Sequence, residues 1–104
     1  MKNLGETLRE LRENKQLPLR TVAAYLDIDP AIMSRLERGQ RKATREQVIK
    51  LAGYFNINED ELIIAWLSDK VVYEIADEQL SIEALQVAEE KVKFMKNKTQ
   101  RYGN

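Results

Sequence analysis

LPLRTVAAYLDIDPAIMSRLERG, residues 17–39, holds two short helical patterns with almost nothing between them. Val22, Ala23 and Leu26 recur at helical spacing, so the first pattern spans about Leu19 to Leu26. Pro18 stands where a first-turn proline is tolerated. The second pattern carries strong punctuation. Asp29 is placed to cap its orphan amides, and Pro30 takes the first helical position, where no hydrogen bond is lost. Met33 and Leu36 face inward, and Gly39 is placed to close the helix in the left-handed conformation. The connection Leu26-Asp27-Ile28-Asp29-Pro30 is too short for anything but a sharp helix–helix turn. Two short helices joined by a turn of three to four residues make a helix-turn-helix, which lays its second helix in a DNA major groove.

Helical signals continue on both sides. Leu4, Leu8 and Leu11 predict a helix from about Leu4 to Lys15, ended by Leu17-Pro18 because the residue before proline avoids the α region. Thr44-Arg45-Glu46-Gln47 has the capping-box spacing, and Val48, Leu51, Ala52 and Phe55 form the stripe of the helix it opens. Asn56-Ile57-Asn58 is a turn. A fifth helix starts near Glu59, carries Leu62, Ile63, Ala65, Trp66 and Leu67, and continues through Val71, Val72, Ile75 and Ala76. Ser81 is placed to cap a last helix to about Lys98, and residues 99–104 are expected to fray. No β alternation, internal repeat or low-complexity linker interrupts this order. The expected fold is all-α: a five-helix domain over residues 1–66 and a C-terminal helical extension over residues 67–104.

Composition narrows the function. The chain has 104 residues and neither cysteine nor histidine. That excludes disulfides, thiolate nucleophiles, imidazole acid–base catalysis and the usual transition-metal sites. With four glycines and no Gly-rich loop there is nothing to cradle a substrate, so no enzyme, metal or cofactor is expected. No apolar run approaches the roughly 18 residues of a membrane span. Charges fill the first turns, which argues against a signal peptide and makes the cytoplasm the expected compartment. Net charge is zero, yet it is segregated. Residues 30–50 hold Arg35, Arg38, Arg41, Lys42, Arg45 and Lys50 against Glu37 and Glu46. Residues 59–90 hold ten acids and one base, Lys70. A basic patch therefore coexists with an average of zero.

Residues 4–62 resemble the XRE/Cro-repressor family. The resemblance runs through Leu11-Arg12, Val22-Ala23, Leu26, Ile28, Ser34-Arg35-Leu36-Glu37-Arg38-Gly39, Leu51-Ala52 and Asp60-Glu61-Leu62. It implies a phage-repressor-like domain in which Arg12 pairs with Glu37 as a structural ion pair. It also implies base contacts from Pro30, Ala31, Ser34 and Arg35, of which Arg35 is the clearest reader because arginine matches guanine O6 and N7. Phosphate contacts would come from Arg38, Arg41, Lys42 and Arg45. Two positions depart from the family. Leu19 stands where glutamine is usual, and Asp27 where the turn often has glycine. These leave two readings: a sparse code aided by DNA shape and dimer spacing, or an apolar patch of Leu19, Pro30, Ala31 and Ile32 that binds protein.

Beyond the resemblance, Leu85, Ala88, Val92 and Met95 repeat with the 3-4-3 spacing of a helix-pair seam, and Ile82 extends it. The seam suits a helix folded back on its own domain or a homodimer interface, with Trp66 and Tyr73 as anchors at that contact or as core filling. The expected function is a sequence-specific transcriptional regulator, a repressor or autoregulator, that binds double-stranded DNA at an inverted repeat as a homodimer. The alternatives are an antitoxin with a toxin partner, a restriction–modification controller, or a helix-turn-helix adaptor without a DNA function.

Overall fold

In the computed structural model the backbone is described for residues 1–102 and the side chains for residues 1–98. Among these residues there are six helices and no strand: α1 (Leu4–Asn14), α2 (Leu19–Leu26), α3 (Pro30–Glu37), α4 (Arg45–Tyr54), α5 (Glu59–Ile75) and α6 (Ser81–Tyr102). The chain divides into two units, Met1–Val71 and Val72–Asn104.

Local chemistry sets most of the helix starts. Asn3 caps α1 by accepting the Glu6 amide at 2.9 Å, and Glu6 reaches back to the Asn3 amide. Asp29 accepts the Ala31 amide at 2.7 Å ahead of Pro30, as its sequence position predicts. Thr44 and Gln47 complete the expected capping box at 3.1 and 3.0 Å. Asn58 accepts the Glu61 amide at 3.0 Å and so starts α5. At α6 the structure differs from expectation. Ser81 is the first helical residue, and the Leu80 carbonyl accepts the Ala84 amide at 2.9 Å. The α6 backbone also runs past the expected end at Lys98 to Tyr102. The fraying expected of residues 99–104 otherwise lies outside the described residues.

The connections of the first unit share one device. Gln16, Asp27, Gly39 and Asn56 each take a positive φ, between 54° and 72°. Each lets the chain reverse between successive helices, and only one of them is a glycine. Asp27 thus does the work that the family gives to glycine, with φ 56° and ψ 46° at the end of α2.

Leu8, Val22, Met33, Val48 and Leu51 are the largest fully buried side chains, and they come from α1 to α4. Leu62 and Trp66 bring α5 into the same core. The first unit reaches beyond the expected limit at residue 66 for a visible reason: Asp69 Oδ2 accepts the Leu4 amide at 2.8 Å, so α5 supplies a second cap to α1. In the second unit, Leu85, Val92 and Met95 on α6 are exposed. A Glu89–Lys93 pair at 2.9 Å staples the helix surface, and the Lys93 hydrogen bond holds the Glu89 carboxyl below its ordinary range. Among the described residues no helix is long and apolar enough to cross a membrane.

Gly5 fixes how closely α1 meets α3. A Cβ there would lie 2.4 Å from the Glu37 carbonyl oxygen and 2.6 Å from that of Leu36. Both obstacles are backbone, so no side chain can swing away. The Gly5→Ala variant gains about 1 kcal/mol of helix propensity but overpacks the contact by about 1–3 kcal/mol. We expect it to lower the thermal midpoint by several degrees in a circular-dichroism melt. A midpoint equal to or above wild type would show that α1 and α3 can separate freely.

Candidate nucleic-acid interface

The site begins with what holds α3 in place. Arg12 Nε donates to Glu37 Oε2 at 2.7 Å and Nη2 to Oε1 at 3.0 Å, a fork-to-fork pair. Arg12 Nη1 also donates to the Leu17 carbonyl at 2.9 Å. One guanidinium therefore ties α1, the α1–α2 connection and the end of α3. The Glu37 side chain is only 4% exposed and that of Arg12 14%. The hydrogen bond to Glu37 raises the Arg12 pKa, aided by the charges of Glu37 and Glu13 and opposed by burial. Because the folded value lies above the unfolded one, this contribution is complete below the unfolded pKa. It is lost only as pH rises through the folded value, far into the alkaline range.

With Met33, Leu36 and Glu37 turned inward, α3 presents its other side. Pro30, Ala31 and Arg35 are exposed there and Ser34 is half-buried. Among the described residues the Arg35 side chain makes no hydrogen bond or ion pair. The four expected phosphate-binding cations follow at once and all are exposed. Arg38 leans back along α3, its Nε donating to the Ser34 carbonyl at 3.3 Å. Arg41 and Lys42 occupy the turn after Gly39, and Arg45 is the first residue of α4, its guanidinium carbon 5.1 Å from the centre of the Trp66 ring.

Of the two readings open for Trp66, the structure supports core filling. It is not an anchor on a free face: it is 8% exposed within the core of the first unit. Its indole Nε1 donates to the Ala43 carbonyl at 2.8 Å. An apolar ring and one N–H fit a site that is apolar on one side and offers a backbone acceptor at its edge. The Ile63-to-Leu67 run gave no sign of which residue points inward, so spacing alone did not locate it.

Backbone donors complete the surface. Asn3, Asp29, Thr44 and Asn58 spend side chains on the amides of α1, α3, α4 and α5. The N-cap of α2 is Pro18, which has no side-chain acceptor to offer. The Thr21 amide donates to the Pro18 carbonyl at 3.1 Å, which leaves the Leu19 and Arg20 amides without a side-chain cap, and the amides of α4 are partly occupied by Thr44. Leu19, at the start of α2, is half-buried against the core.

Residues 8–62 match the helix-turn-helix family HTH_3. That span is just over half of the 104 residues. The chain belongs to the XRE family of helix-turn-helix proteins. The HTH-type transcriptional repressor RghR of Bacillus subtilis (strain 168) is 38% identical over 50 residues, which is 48% of this chain and 37% of RghR. The chain thus matches a little over a third of that relative's length. Among solved structures, the clp gene regulator ClgR from Corynebacterium glutamicum shares the fold with a TM-score of 0.54 and 22% identity, over 97% of this chain and 92% of that one.

Within this XRE-family domain the clamp yields a sharp test. Glu37→Ala leaves the Arg12 guanidinium without its buried partner and is expected to cost about 3 kcal/mol or more in urea unfolding. Replacing both groups by apolar residues of similar size, Arg12→Met with Glu37→Leu, is expected to cost less, because no uncompensated charge remains. Equal losses would mean that the ion pair is not what the single variant breaks.

Proposed function

We propose that this chain is a sequence-specific DNA-binding transcriptional regulator, a cytoplasmic repressor or autoregulator, that binds an inverted-repeat operator as a homodimer. One observation carries the reading: the exposed face of α3 is followed immediately by an exposed run of cations in an otherwise balanced chain. Arg35 reads guanine through two hydrogen bonds, Ser34 donates or accepts, and Pro30 and Ala31 offer apolar contact to a thymine methyl. Arg38, Arg41, Lys42 and Arg45 hold phosphates and set the register of α3 along the groove. Membership of the XRE family and the named repressor among its relatives support the same role.

The homodimer is supported by what α6 leaves exposed. Leu85, Ala88, Val92 and Met95 share a seam, and Tyr73 at the end of α5 is 73% exposed. Burying this seam against a second copy removes apolar surface from water. One helix-turn-helix covers one half-site, so a two-fold pair reads two half-sites about one helical turn apart. Selection from a random duplex library at moderate salt is expected to return a palindromic motif; enrichment of no motif would sink the reading. Arg35→Ala should relax preference at one base pair of each half-site, at about 1–3 kcal/mol of lost discrimination. Val92→Asp should convert a dimer to a 12.1 kDa monomer in sedimentation while the first unit keeps its helicity. A wild-type chain that sediments only as monomer at micromolar concentration would remove the dimer.

A further inference from the structure

Lys70 is the single base among ten acids in residues 59–90, and the fold delivers it to the basic loop. Its Nζ lies 3.6 Å from the centre of the Trp66 ring. The Arg45 guanidinium meets the same ring at 5.1 Å. The indole N–H of that ring holds the Ala43 carbonyl, next in sequence to Lys42. We propose that Trp66 assembles a phosphate-binding cluster in which Lys70 joins Arg45, extending the grip of the α3–α4 loop along a nucleic-acid backbone. This rests on the DNA-binding reading above and adds to it a residue from α5.

Electrostatics carry the argument. Two like charges converge on one side chain, and among the described residues neither makes an ion pair with a carboxylate. The acids next in sequence to the two cations are engaged elsewhere, and Glu74, one turn beyond Lys70 on α5, makes no ion pair with it among the described residues. Asp69 accepts the Leu4 amide, and Glu46 pairs with Lys50 at 3.2 Å. Attraction to the ring face holds each cation within the roughly 6 Å where that interaction is significant. It offsets their mutual repulsion without cancelling either charge. Both cations remain exposed, so the cluster presents positive charge that an anion relieves.

The ring also limits how far the two side chains wander before binding. Long basic side chains ordinarily lose rotamer freedom when they meet a phosphate, and here part of that ordering is already in place. The chemistry favours a backbone phosphate over a free one. Two cations on an open surface, with no enclosing donors, hold a lone ion weakly under physiological screening. The same pair becomes effective as one contact in a series with Arg41 and Lys42, because linked phosphates arrive together. Trp66 is then a positioning residue, and Lys70 the contact it positions.

Salt dependence tests this in the full chain with a duplex of about two helical turns bearing the selected motif. Lys70→Gln is exposed and leaves the core intact. We expect it to flatten the slope of log affinity against log salt by about one unit, equally for specific and non-specific duplexes, and Lys70→Arg to restore it. Trp66→Phe, checked for folding by its melt, should weaken binding less when Lys70 is already glutamine than when it is lysine. Trp66 is the single tryptophan, so its emission reports on the cluster. Duplex should shift that emission, and inorganic phosphate at matched ionic strength should not. An unchanged slope in Lys70→Gln, with wild type binding normally, overturns the cluster and leaves the regulator standing. An emission shift with inorganic phosphate but not with duplex overturns it as a free-anion site. A wild type that binds no duplex at all removes the regulator reading and the cluster together.

Discussion

The contact on which the rest of the first unit depends is the one between Arg12 and Glu37. A carboxylate this buried is costly to desolvate, and it is tolerated here because a guanidinium fork meets both oxygens. The third Arg12 hydrogen bond, to Leu17, passes the constraint to the chain leading into α2. Close by, Gly5 lets the α1 backbone approach the last carbonyls of α3. The end of α3 is therefore held twice by α1, once by charge-assisted hydrogen bonds and once by direct backbone packing. A non-directional apolar contact would hold α3 near α1. The fork and the missing Cβ together fix its rotation, which settles which side of α3 faces outward.

Much of this architecture was legible in the chain because its signals are local. Asp29 with Pro30, and Thr44 with Gln47, satisfy amides within three residues, so spacing alone revealed them. The reversal at Asp27 was legible for the same reason, since the connection has no room for anything longer. The pairing of Arg12 with Glu37 came from family resemblance, because nothing in the spacing links residues 25 apart. Contacts with no local trace stayed hidden. Gly5 reads as an ordinary helical residue until α3 is placed against it. Asp69 reaches Leu4 across 65 residues, and Trp66 reaches Ala43 across 23. Trp66 sits in an apolar run where the helical period does not separate the inward from the outward position. The same ambiguity left it open between core filling and an anchor for a second subunit.

Charge is arranged on the same principle as the packing. Acids start helices or pair with nearby lysines, as Glu6, Glu46 and Glu89 do. The cations after α3 stay exposed. A chain of zero net charge can in this way present a basic strip, its excess of acids being gathered in residues 59–90. The α6 helix lies outside the span matched to the family, and it carries the exposed apolar seam. The family match ends at residue 62, so the helix-turn-helix unit is what the chain shares with that family, while the similarity to ClgR extends over 97% of the chain.

The start of α3 bears on kinetics and calorimetry. Pro30 fixes one φ, Asp29 occupies the first amide, and the far end is locked by Glu37. The segment is already a capped helix in the free chain. Encounter with such a helix proceeds at a rate set by diffusion and electrostatic steering, without the delay of coil-to-helix conversion. The heat-capacity change of complex formation then reflects only the surface brought into contact, free of the large coupled-folding component that disordered recognition segments contribute.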